Sequence, residues 1–118
     1  MSELIRETIE TCIEYIPKLI AGAGRATTLF RGQDASAGME LILPVFDGLE
    51  WVMTAIAKTD GAGGESGIDI GELSKHFIEL TDALEKQDTT LTADLFEFEV
   101  IPVLQSWQKK LIAAHQGA

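Results

Sequence analysis

The sequence predicts an all-α protein, an antiparallel up-down four-helix bundle of two helical hairpins. Three observations predict it. Apolar residues recur in alternating steps of three and four along four separate stretches, the spacing that keeps side chains on one helix face. Short polar turns separate most of these stretches, and short connections force consecutive helices antiparallel. No run that alternates apolar and polar residues at the two-residue period of a strand is bounded by turn residues.

The first stripe is Ile5, Ile9, Cys12, Ile16, Leu19, Ala23, Ala26 and Phe30. Ser2 is suited to cap its start, and Glu3 and Glu7 sit near the positive end of the helix dipole. Arg31-Gly32-Gln33-Asp34 ends it, with Gly as terminator and Asp as the next cap. The second stripe is Ile42, Val45, Leu49, Val52 and Ile56, and it gives way to the Gly-rich stretch Thr59–Gly67, which reads as a long flexible loop. Ile70, Leu73, Phe77, Leu80 and Leu84 form the third, with Asp69 as its cap. After Glu85-Lys86-Gln87-Asp88-Thr89-Thr90 comes the fourth: Ala93, Phe96, Val100, Val103, Trp107 and Leu111, before a frayed tail at Gln116-Gly117-Ala118.

Pro17, Pro44 and Pro102 each fall inside a stripe. A mid-helix proline removes a hydrogen bond and costs about 3 kcal/mol. The stripes keep phase across all three, so kinked helices are expected; the alternative splits the helices there into as many as seven short ones. The halves also resemble each other. Gln33-Asp34 recurs as Gln87-Asp88, 54 residues later, and Pro44 as Pro102, 58 residues later. Either two hairpins share a design or amphipathic helices match by chance.

Composition narrows function. At 118 residues the chain suits one domain, 1–118, and 46% hydrophobic residues exclude disorder. A formal charge of −10 repels phosphates, which excludes nucleic acid as a partner. No run approaches the roughly 18 apolar residues of a membrane span, and the first residues do not read as a secretory signal. The single Cys12 lies on an apolar stripe, fitting a buried thiol in a reducing, cytoplasmic setting.

Chemistry-bearing motifs are sparse. Aligning Glu72 with the last ligand of a calcium-binding loop puts Gly61 and Gly63 where carboxylates are needed. A di-iron bundle needs two Glu-x-x-His pairs, yet His76 and His115 both lack a Glu three residues before them. There is no Gly-x-Ser-x-Gly elbow, and Gly22-Ala23-Gly24 is no phosphate loop, since no strand precedes it. Those small residues fit a helix that a neighbour approaches closely. The expectation is a non-enzymatic protein with no metal and no cofactor.

The most unusual segment runs from Asp94 to Trp107, with acids and aromatics interleaved at two-residue steps. Phe96 fits the core stripe, while Phe98 falls about 200° away from it. Asp94, Glu97, Phe98 and Glu99 are therefore candidates for a partner-binding surface. Trp107 continues the stripe yet belongs to the same candidate set. Trp51 joins it, one position off Val52 at the edge of the second stripe, where a tryptophan is a common interface anchor.

The segment Asp94-Leu95-Phe96-Glu97-Phe98-Glu99-Val100-Ile101-Pro102-Val103-Leu104-Gln105-Ser106-Trp107 resembles a pattern of small bacterial all-helical proteins of uncharacterised function, some associated with motility. Phe98 stands where that pattern has Tyr, and Phe96 where it has Leu. More distantly, size, acidity and helical layout are similar to flagellar export chaperones, which hold helical ends of secreted subunits in apolar grooves. More apolar stripe than four helices bury internally, with prolines opening grooves, makes the expectation an interaction module whose partner is another protein or a second copy in a homodimer. The resemblance adds an export chaperone or motility accessory factor as its form. The alternative is a small-ligand-binding or enzymatic bundle with Asp94, Glu97 and Glu99 in an acidic inter-helix pocket.

Overall fold

A computed structural model describes residues 2–32 and 34–116, and it contains no strand among them. Helix α1 spans Glu3–Arg31, α2 Ala35–Gly61 and α3 Gly71–Glu85. The fourth helix is continuous but built in three pieces: α4 (Thr89–Leu95), a π-helical turn (Phe96–Val100) and α5 (Ile101–Gln116). Gln33 of the first turn, Gly117 and Ala118 of the expected frayed tail, and Met1 lie outside the described residues.

α1 is the spine, packing against α2, α4, the π-turn and α5. Its 29 residues rise about 43 Å at 1.5 Å each, which accounts for the 46 Å long dimension. α3 lies on α4 and the π-turn, and it reaches α2 where the Phe46 and Phe77 rings meet at 4.6 Å. All eight residues of the first stripe and all five of the second are buried. Small residues let α1 and α2 close up: Ala23 and Ala26 are fully enclosed, and a Cβ on Gly22 would already touch Val45 at 3.4 Å.

The helix starts follow the sequence. Ser2 accepts from the Ile5 N–H, Asp34 from Ala37 and Asp88 from Leu91, each satisfying an amide the helix leaves open. At α3 the cap is displaced: Ile70 stands at the boundary, and Asp69 Oδ1 instead accepts from the Gly71 N–H. The two inter-helix turns are alike. Asp34 N–H donates to the Leu29 carbonyl and Asp88 N–H to the Ala83 carbonyl, both 2.9 Å and five residues back. The Gly-rich loop is tied down, because Asp60 accepts from both the N–H and the hydroxyl of Ser66. Gly64 is needed there; a Cβ would stand 2.8 Å from the Thr59 carbonyl oxygen.

Pro17 and Pro44 lie inside unbroken helices. Pro17 cannot donate to the Ile13 carbonyl, its i−4 acceptor, and Gln108 Nε2 of α5 does so instead at 2.9 Å. Pro102 follows the π-turn, in which the Ile101 N–H reaches back five residues to the Phe96 carbonyl.

Two stripes are corrected by one residue. After the π-turn the buried positions are Leu104, Trp107 and Leu111, while Val103 is only half-buried. Leu104 takes the place of Val103 directly after the π-turn, and the row resumes at Trp107 and Leu111 as the stripe has it. In α3 the buried row is Leu73, His76, Leu80 and Ala83, leaving Ile70, Phe77 and Leu84 half-buried. On that face His76 reaches toward the π-turn, its Nε2 3.5 Å from Glu99.

Candidate functional site

Each of the two longest helices carries a second stripe, one residue ahead of its core stripe. On α1 it is Leu4, Thr8, Thr11, Tyr15, Lys18, Gly22 and Arg25; on α2 it is Leu41, Pro44, Gly48, Trp51, Ala55, Lys58 and Ala62, the last just past the helix end. Both step by three and four, so each forms a continuous row on its helix. The rows face each other across the outer side of the α1–α2 contact and line a chain of hollows. Leu4, Thr8, Trp51, Ala55, Lys58 and Ala62 border one of about 460 Å³. Thr11, Tyr15 and Trp51 border the next, of about 340 Å³. Tyr15, Lys18, Gly22, Arg25, Leu41 and Pro44 border the third, of about 140 Å³.

Tyr15 and Trp51 join the three hollows. Their rings meet edge to face, 5.6 Å between centroids at 84°, the arrangement in which a positive ring edge faces a negative π-face. Gly48 makes room for Tyr15, since a Cβ there would press on Leu19 Cδ2 and stand 2.6 Å from the Tyr15 hydroxyl. Trp51 remains 43% exposed and Leu4 73%, large apolar areas that water covers in the lone chain.

The acidic segment is arranged otherwise. Arg31, at the end of α1, donates to Asp94 at 2.8 Å and stands 3.5 Å from Glu97. The Asp94 hydrogen bond is the first cause that holds the Arg31 guanidinium above its ordinary range. Buried His76 lies between two carboxylates, 2.9 Å from Glu79 and 3.5 Å from Glu99. Asp94, Glu97 and Glu99 thus join α1 and α3 to the fourth helix, and they line none of these hollows. Phe98 is 61% exposed on the π-turn, as its angular position predicts.

Trp107 is fully enclosed and cannot be presented to a partner, so it leaves the surface set. Its core position is the one its stripe predicted. Sequence reasoning singled out Trp51 but missed Tyr15, Leu4 and the rest of the two rows. Apolar spacing does not mark them, since the α1 row sets Leu4 and Tyr15 among Thr8, Thr11, Lys18, Gly22 and Arg25. Among the described residues, no group of three His, Cys, Asp or Glu side chains is placed to hold a metal, and no helix is long and apolar enough to cross a membrane.

A family model described as a domain of unknown function (DUF8042) matches residues 7–110. No curated protein and no solved structure matches the chain.

Proposed function

The chain belongs to the DUF8042 family, whose description assigns no activity, and from its surface we propose a non-enzymatic protein-interaction module that docks a second polypeptide in the α1–α2 groove. One observation carries this reading: the paired second stripes, which leave Trp51, Tyr15 and Leu4 on an open, largely apolar furrow. Large apolar side chains left exposed together along one furrow, as Leu4 and Trp51 are, mark a surface that another molecule covers. Aromatic anchors at the centre of such a furrow are the usual carriers of binding energy.

In this reading the four helices form an up-down antiparallel bundle, bent at Pro17, Pro44 and Pro102, acting in the cytoplasm. An export chaperone or motility accessory role, as the sequence resemblance implies, is the form of module we favour. The furrow replaces the 94–107 segment as the main docking surface, with Phe98 as a secondary apolar point. The acids that an enzymatic pocket would use are spent on Arg31 and His76.

A photo-crosslinking side chain placed at Trp51 tests this in the cells that make the protein. Discrete adducts at position 51 that are absent at exposed Ile78 on α3 support the module. Equal labelling at both positions, or none at either, contradicts it.

A further inference from the structure

We propose that the occupant of the α1–α2 groove is a cationic amphipathic helix. This rests on the interaction reading above and names the partner of the same site. Shape comes first. The two walls are helical rows with matching three-and-four spacing, and from Leu4 to Arg25 the groove runs about 30 Å along α1. A third helix of about 20 residues fills such a furrow, laying its apolar stripe on Leu4, Tyr15, Trp51 and Ala55.

Charge decides the sign. One residue ahead of each wall stands a crest of carboxylates: Glu3, Glu7 and Glu14 on α1, Glu40 and Asp47 on α2, all exposed. Glu10, in the same row, turns toward α5 and lies 3.5 Å from His115. The flanks of a helix seated in the furrow come to lie beside these crests, so lysine or arginine there is favoured and glutamate repelled. The walls carry three cations, Lys58 in the hollow shared with Leu4 and Trp51, and Lys18 and Arg25 in the one that Tyr15 borders. The hollow between them, bordered by Thr11, Tyr15 and Trp51, has no cation in its lining; of the crests, Glu14 is next to Tyr15 in sequence and Asp47 is four residues before Trp51. A second copy of the chain is disfavoured by the same charges, since each copy carries −10 and identical acidic crests.

The probe is a labelled peptide of about 18 residues with leucines on one helical face and lysines elsewhere. Two controls accompany it: the same pattern with glutamates for lysines, and the leucine–lysine composition shuffled so that no face forms. Binding is read by fluorescence anisotropy at physiological salt, where long-range attraction to the net charge is screened. The leucine–lysine helix is expected to bind at least about tenfold tighter than either control, and Trp51→Ser to weaken it about tenfold while Phe98→Ser does not. Unchanged helical circular dichroism in both variants confirms that folding is intact. Equal binding of the leucine–glutamate helix, still sensitive to Trp51→Ser, overturns the cationic occupant and leaves the groove reading standing. Binding insensitive to both Trp51→Ser and Tyr15→Ser removes the groove reading as well. Sedimentation showing a dimer that Trp51→Asp dissociates makes a second copy the occupant, and that too overturns the proposal.

Discussion

Tyr15 stands edge-on to Trp51 across the α1–α2 furrow, 5.6 Å between ring centroids, and it does so over the bare backbone of Gly48. The two rings come from helices that meet through long-range packing, and Tyr15 reaches its place only because residue 48 lacks a side chain. The floor of the groove is therefore set by one small residue.

Gly48→Ala should displace Tyr15. The added methyl presses on Leu19 and Tyr15, and such overpacking costs about 1–3 kcal/mol, against a helix-propensity gain of about 1 kcal/mol. Urea denaturation is expected to show a net loss, with a changed near-ultraviolet dichroism from the Tyr15–Trp51 pair. Gly24→Ala is the control. Nothing lies within 4 Å of its would-be Cβ, so stability should rise by up to about 1 kcal/mol.

Gln108 and Pro17 should be coupled. Gln108 Nε2 serves the Ile13 carbonyl that Pro17 leaves without its helical donor. Gln108→Leu orphans that carbonyl and is expected to cost about 1–3 kcal/mol. In a Pro17→Ala background the helix regains its own N–H donor, and the cost of Gln108→Leu should fall below about 1 kcal/mol. A double-mutant cycle by denaturation measures the difference; strict additivity would refute the coupling.

Phe96 and Phe98 differ by two residues and have opposite environments, the first fully enclosed and the second 61% exposed. Phe96→Ala should cost about 3–5 kcal/mol, as large-to-small changes in a packed core do. Phe98→Ala should stay within about 0.5 kcal/mol, the range of surface positions without special contacts. Comparable losses at both sites would mean that the π-turn is not oriented as described.

Burial pushes the Cys12 thiol up from its ordinary 9.0 to about 11, because desolvation disfavours the thiolate. The unfolded chain then loses its proton at lower pH than the folded one. This contribution is fully present below pH 9 and is lost as pH rises from about 9 through about 11, amounting to roughly 2–3 kcal/mol. Other groups titrate in the same window, so the quantity to measure is the stability difference between wild type and Cys12→Ala across it. That difference should change with pH above 9 and stay level below it.

Where the sequence was legible, periodicity made it so. Every residue of the α1 and α2 stripes is buried, because long helices with one dominant face average out local perturbation. In α3, Leu73 and Leu80 hold while His76 and Ala83 are buried in place of Phe77 and Leu84; in α5, Leu104 replaces Val103 while Trp107 and Leu111 hold. The α5 exchange falls directly after the π-turn, where the wider bonding departs locally from the 3.6-residue period. His76 is buried in the core row in place of Phe77, with its Nδ1 hydrogen-bonded to Glu79 at 2.9 Å, which an apolar count ignores. At the site, Trp51 was visible as an edge residue, but Tyr15 was not, since only tertiary packing brings it over Gly48. Asp94 and Glu97 looked like free surface acids until Arg31, 63 residues before Asp94, was placed beside them.

Amide chemical-shift mapping with the leucine–lysine helix is the most direct test of the docking groove. The account predicts perturbations along Leu4–Arg25 of α1 and Leu41–Ala62 of α2, strongest at Tyr15 and Trp51. Perturbations gathered instead around Phe98 and Ile78, with the Trp51 indole unmoved, would contradict it.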